Sequence, residues 1–173
     1  MGSLDQLYQQ VILDHDREKH GYGLREATEP TRAAESSQFN PLCGDTVTMR
    51  VAVDQPAGTV DRPAGTADGG GVVVRDVSWT GDGCSISQAS TSVLHDLVVG
   101  QSVPEAERVL TAFREMIRSR GKLEPDEEVL GDGVAFAGVG RHANRVKCAM
   151  LGWTAFEDAL HRLGVSTPVR EEK

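Results

Sequence analysis

Residues Thr46–Asp54 read TVTMRVAVD. Val47, Met49, Val51 and Val53 alternate with polar or small residues, so they share one side of an extended chain and mark a half-buried strand. A second run, Val72–Thr80 (VVVRDVSWT), is rich in β-branched residues and reads as another strand. Between the two lies DQPAGTVDRPAGTADGGG at about 54–71, in which PAGT occurs twice. Pro and Gly at that density cannot build a packed core, so the segment reads as an enlarged hairpin loop.

Upstream, residues 3–19 carry Leu4, Leu7, Tyr8, Val11 and Ile12 at helical spacing, with Asp, Gln and Arg opposite, and Gly21 and Gly23 end the helix. Residues 24–39 are polar, with room for one short edge strand. Downstream, a helix is expected from about Ser85 to Val99, with Ile86, Ala89, Ser90, Val93, Leu94 and Leu97 on its inner side. SVPE at 102–105 is a helix start, in which Ser102 caps, Pro104 suits the first turn and Glu105 completes a capping box. That helix runs to about Arg120, and a looser, Gly-broken segment spans Leu123–Gly140. A last helix is predicted from an Asn144 cap to about Leu163, with Val146, Ala149, Met150, Trp153, Phe156 and Leu160 on one face. A frayed tail is expected from about Gly164. Strands come early and helices late, which predicts an α+β fold: one domain over residues 1–173, with an antiparallel sheet of about three strands packed against helices.

At 173 residues, 39% hydrophobic and 25% charged, the chain has the makeup of a single globular domain. A formal net charge of −8 disfavours nucleic acid and anionic membranes as partners. No apolar run approaches the ~20 residues of a membrane span. The opening MGSLDQLYQQVILDHDREK lacks the basic and apolar regions of a secretory signal, so a cytoplasmic location is expected. Thiols stay reduced there, and three cysteines cannot close a disulfide framework.

The cysteines all fall at expected element ends. Cys43 stands in NPLCGD (40–45), Cys84 follows GDG at the start of a helix, and Cys148 is placed near the start of the last helix. A free cysteine is commonly just a buried small residue. Flanking glycines and the nearby carboxylate of Asp45 point instead to a shared ion. Three thiolates and a carboxylate suit tetrahedral zinc, with sulfur near ~2.3 Å and oxygen near ~2.0–2.2 Å, and thiolate softness favours zinc or iron over magnesium or calcium. Helix N-termini lower a thiol's pKa, an effect expected for Cys84 and Cys148. His142 competes with Asp45 as fourth ligand and His95 does so more weakly, whereas His15, His20 and His161 read as surface residues. RHANRVKC (141–148) is the conspicuous basic island of an acidic chain; it screens the site, receives a partner, or is simply a solvated helix start.

NPLCGD, GDGCSISQAS and RVKCAMLGW, in that order and separation, together with LYQQVILDH in the first helix, resemble the SufU branch of the IscU/NifU N-terminal family of iron–sulfur cluster biogenesis. The resemblance spans nearly the whole chain and implies a SufE/IscU-like fold. It implies one zinc held by Cys43, Asp45, Cys84 and Cys148. It further implies that Cys43 accepts sulfur from the persulfide of a SufS-type, pyridoxal-phosphate-dependent cysteine desulfurase. In that branch a desulfurase histidine exchanges into the zinc site to free the acceptor thiol, and an arginine near the third cysteine corresponds to Arg145. A SufBCD-type scaffold stands downstream as a further implied partner. Whether such a protein is an enzyme is a matter of definition: it is a sulfurtransferase in carrying sulfur, while the desulfurase cleaves the C–S bond. Lys147 stands where IscU scaffolds carry a histidine. Two alternatives remain: an IscU-like scaffold assembling an iron–sulfur cluster on the same ligands, and an interaction domain with a purely structural zinc.

Overall fold

The computed structural model describes residues 3–26, 31–54 and 72–165. The PAGT loop beyond Asp54 and the tail beyond Val165 lie outside the described residues. The fold is α+β, as expected. Helix α1 (Ser3–Glu18) precedes three strands, β1 (Thr31–Asn40), β2 (Asp45–Asp54) and β3 (Val74–Asp82). Helices α2 (Ser85–Val98), α3 (Val103–Arg118), the short α4 (Glu127–Leu130) and α5 (Ala143–Leu163) follow, with a 3-10 segment, Gly131–Arg141, between α4 and α5.

The strands form an antiparallel sheet in the order β1-β2-β3, with β2 central. Its period-two pattern is realised as expected: Val47, Met49, Val51 and Val53 are all buried. Asp45, two positions before Val47, is in phase with them and is buried on the same side. The edge strand is longer than expected. β1 pairs with β2 along its full length, from Thr31↔Asp54 to Asn40↔Asp45. Its polar residues masked it because an edge strand exposes most of its side chains.

Helix α5 lies under β1 and β2 and carries the centre of the core. Trp153 stacks on Phe113 at 4.1 Å, Phe136 meets Phe113 edge-on, and Trp153 Nε1 donates to Ser90 Oγ of α2 at 2.9 Å. Ser102 caps α3 as predicted, accepting from the Glu105 N–H.

Two expectations need correction. The cap of α5 is His142, not Asn144, so Cys148 lies more than a turn inside the helix and is buried. Beyond the helix Gly164 adopts a left-handed φ of +71°, Val165 N–H bonds back to Leu160 C=O at 3.3 Å, and Val165 is buried. In α1, Leu7 faces solvent, while Tyr8, Val11 and Ile12 pack against the core. No helix among the described residues is long and apolar enough to cross a membrane.

Candidate metal centre

The β1–β2 turn, the β3–α2 turn and α5 converge at one end of the sheet. Residues 41–44 join Asn40 to Asp45 in a tight turn, closed by Gly44 N–H donating to Asn40 C=O at 2.8 Å. Gly44 has φ +73°, a left-handed conformation that glycine adopts without strain. This turn holds Cys43 out into solvent. The period of β2 turns Asp45 inward. There its Oδ1 accepts from the Cys84 N–H at 3.1 Å, and its Oδ2 lies 3.7 Å from Cys84 Sγ. Gly83 allows this approach, since a Cβ there would stand 2.7 Å from both Asp45 Oδ1 and Ser87 Oγ.

Cys148 Sγ reaches the same point from α5, 3.4 Å from Cys43 Sγ. Donor atoms of Cys43, Asp45 and Cys148 lie within 4.8 Å of one another. Cys84 borders this group through Asp45 rather than belonging to it, and His142, although exposed on the wall of the adjoining pocket, is not part of it either. Of the sequence candidates, the geometry therefore brings Cys43, Asp45 and Cys148 together most closely, with Cys84 alongside. Arg145 is exposed and lines the same pocket.

The donor chemistry fits a soft divalent cation. Bonds of ~2.3 Å to sulfur and ~2.1 Å to oxygen in a tetrahedron put two sulfurs about 3.8 Å apart and a sulfur and an oxygen about 3.6 Å apart, close to the 3.4 Å between the Cys148 and Cys43 sulfurs and the 3.7 Å between Cys84 Sγ and Asp45 Oδ2. The electrostatics of the metal-free centre run the other way. The Cys148 thiol is held well above the ordinary range, first by burial and then by hydrogen bonding with Asp45 and Cys43 and by the neighbouring Cys84. This overturns the expectation that a helix N-terminus lowers its pKa: Cys148 sits too deep in α5 for the end effect, and desolvation disfavours the thiolate. A bound dication reverses that balance by stabilising the thiolate directly.

A cavity of about 760 Å³ opens over the thiols. Its walls join Cys43, Cys84 and Cys148 to Tyr8, Ile12 and Leu13 of α1, Ala135 and Val139 of the 3-10 segment, and the polar residues His142, Asn144 and Arg145. Helix α1 and Asn40 were the parts of this site not singled out in the sequence. The exposed apolar Leu13, beside the inner residues of α1, is the signal that would have pointed to α1. Asn40 stands in the quoted NPLCGD turn itself, where its side-chain Nδ2 donates to Cys148 Sγ at 3.7 Å.

The histidine expectations divide. His15 is buried rather than on the surface, its ring nitrogens 2.8 Å from Ser92 Oγ and 2.9 Å from Asp132 Oδ2. His20 is half-exposed between Asp96 at 2.6 Å and Glu18 at 2.9 Å, and His161 is exposed. His95 contacts Asp96, away from the thiols.

Comparison with known proteins places this geometry in context. Residues 7–149 match the NifU-like N-terminal domain family. The chain is 30% identical over 162 residues to the iron–sulfur cluster assembly scaffold protein IscU of Streptococcus pyogenes serotype M1, covering 94% of this chain and 87% of that protein. It is 32% identical over 155 residues to the zinc-dependent sulfurtransferase SufU of Bacillus subtilis strain 168, covering 90% of each. Among solved structures, a SUF-system protein of Fervidobacterium islandicum AW-1 superposes with a TM-score of 0.64 at 30% identity, over 92% of this chain and 99% of that one. The chain thus belongs to the NifU-like N-terminal domain family, beside proteins of the IscU and SufU types.

Proposed function

We propose that this protein is a zinc-dependent sulfur carrier of iron–sulfur cluster assembly, in which Cys43 accepts sulfur from a SufS-type, pyridoxal-phosphate-dependent cysteine desulfurase and passes it on, a SufBCD-type scaffold being the expected recipient. Cys43, Asp45, Cys84 and Cys148 are the residues that would hold the zinc. One observation carries the reading: two thiols 3.4 Å apart differ sharply in access, with Cys43 exposed and Cys148 buried. A carrier needs an accessible sulfur beside a sheltered one; Cys84 is exposed as well, and it is the family resemblance that assigns acceptance to Cys43. The similarity to the B. subtilis SufU supports the same reading.

Bound zinc keeps its cysteine ligands deprotonated and shields them from oxidation. The transfer itself belongs to the side chains. The Cys43 thiolate attacks the terminal sulfur of the desulfurase persulfide; the new S–S bond to Cys43 forms as the desulfurase's own S–S bond breaks, and the desulfurase cysteine departs as a thiolate. The transferred sulfur keeps its proton, so Cys43 ends as a persulfide. Thiol–disulfide exchange of this kind follows thiolate population and access. Arg145, exposed on the pocket wall, supplies positive charge for the incoming persulfide.

The similarity to the S. pyogenes IscU favours a second reading, a scaffold that assembles a cluster on the same donors. Lys147 counts against it, occupying the position expected to hold a further histidine donor. Metal and sulfide analysis after anaerobic purification, together with desulfurase turnover of cysteine, separates the two. The carrier reading predicts one zinc, no sulfide, and turnover stimulated by the wild type but not by Cys43→Ala. Iron and sulfide bound at the centre, without stimulation, would contradict it.

A further inference from the structure

We infer that Asn40 is a positioning residue of the centre, one side-chain amide fixing both the Cys148 sulfur and the turn that carries Cys43. The inference rests on the proposed metal-holding role of these thiols. Asn40 ends β1, is 4% exposed, and faces Asp45 directly across the ladder. Its Oδ1 accepts from the Leu42 N–H at 3.2 Å, inside the turn leading to Cys43. That bond settles the orientation of the amide, because an N–H donor needs the oxygen. The Nδ2 group is therefore left to donate to Cys148 Sγ at 3.7 Å. The Asn40 carbonyl adds a third tie by accepting from Gly44 N–H at 2.8 Å.

These contacts divide the labour between two sulfurs. Cys148 accepts from the Asn40 amide, and as a thiol it donates to the Asn144 carbonyl of its own helix, 3.6 Å away, a bond that is given up when the sulfur deprotonates to bind metal. Cys43, on the turn that Asn40 only anchors at its base, has open solvent on its other side. An amide donor to a ligand sulfur orients it and spreads its charge, as outer partners of metal ligands do generally. Asn40 thus marks Cys148 as the sulfur that stays and leaves Cys43 as the one that exchanges.

Asn40→Asp keeps an oxygen for the Leu42 N–H but exchanges the NH₂ group facing sulfur for a charged oxygen, and Asn40→Ala removes the donor without adding charge, so an effect common to both variants reports the lost amide donor. The measurements are zinc affinity by chelator competition and the sulfur-to-metal charge-transfer spectrum of the cobalt(II)-loaded protein. The expected result in both variants is zinc binding weakened by about 10–100-fold, with a shifted cobalt spectrum and an unchanged far-UV dichroism. Affinity and spectrum both equal to wild type in either variant would overturn the inference. Should the variants fail to fold, wild-type NMR decides: the Asn40 side-chain NH₂ resonances shift on zinc loading if the amide faces a ligand sulfur, and resonances that stay put overturn the inference. A wild-type protein that takes up neither zinc nor cobalt would instead overturn the metal reading itself.

Discussion

The sulfur of Cys43, on an exposed turn, lies 3.4 Å from the sulfur of Cys148, which is buried in α5. An oxidant that takes two electrons, with loss of both thiol protons, joins the two sulfurs once this gap closes to about 2.05 Å with a suitable dihedral. Metal-free protein treated with a mild oxidant is therefore expected to form a Cys43–Cys148 crosslink ahead of any bond to Cys84, read by peptide mapping. Zinc-loaded protein is expected to resist the same treatment. A crosslink through Cys84 as the first product would show that the thiol geometry is otherwise.

Asp45 joins β2 to the start of α2 through the Cys84 N–H while presenting its other oxygen to the thiols. Replacing it with Ala removes the acceptor of the part-buried Cys84 N–H, at a cost of about 0.5–1.5 kcal/mol, and removes a proposed zinc ligand. Asp45→Cys supplies a softer ligand and is expected to bind zinc more tightly while accepting sulfur more slowly. Chelator competition and single-turnover persulfide transfer measure the two effects. If that variant takes up sulfur at the wild-type rate, the carboxylate is not what keeps the centre open to exchange.

Gly83 tests the close approach at the β3–α2 turn. A methyl group there meets Asp45 Oδ1 and Ser87 Oγ at 2.7 Å. Gly83→Ala is expected to destabilise the fold by about 1–3 kcal/mol and to lower zinc content. Gly138→Ala is the control, since nothing lies within 4 Å of the added Cβ. A Gly83→Ala protein with normal melting and full zinc would mean that the turn yields freely.

His20 gives a pH dependence remote from the thiols. Its pKa is raised, chiefly by the hydrogen bond to Asp96 and with help from Glu18, against some desolvation. A raised folded-state pKa contributes stability that is complete below the unfolded value of about 6.5 and is lost as pH climbs through the folded value. With the His20 side chain 36% exposed, screening limits the effect to about 0.5 kcal/mol. His20→Gln should therefore be less stable than wild type near pH 5.5 by urea denaturation, and equal to it near pH 8.5. A difference that grows toward high pH would reverse the assignment.

Local patterns carried much of this in the sequence. The alternation from Val47 to Val53 gives β2 and, extended back two places, puts Asp45 on the inner side. SVPE announced α3 through its own cap. What escaped depended on distant partners. His15 sits between two aspartates in DHD and looks solvated, yet its ring is buried by Ser92 and Asp132, 77 and 117 positions away. β1 hid behind polar residues because its ladder with β2, not its own composition, holds it in place. The depth of Cys148 followed from a helix start at Ala143 with no side-chain cap bond, which leaves no signature to read. That depth decides which thiol is sheltered, so the division between Cys43 and Cys148 emerges only in three dimensions.

The most direct test of the central claim is to find the sulfur. Zinc-loaded protein is mixed anaerobically with a pyridoxal-phosphate-dependent cysteine desulfurase and cysteine, the persulfides are trapped by alkylation, and the peptides are mapped by mass spectrometry. The account predicts one added sulfur on the Cys43 peptide, none on those of Cys84 or Cys148, and none anywhere in Cys43→Ala. Persulfide on Cys84 or Cys148 instead, or equal loading of Cys43→Ala, would contradict it.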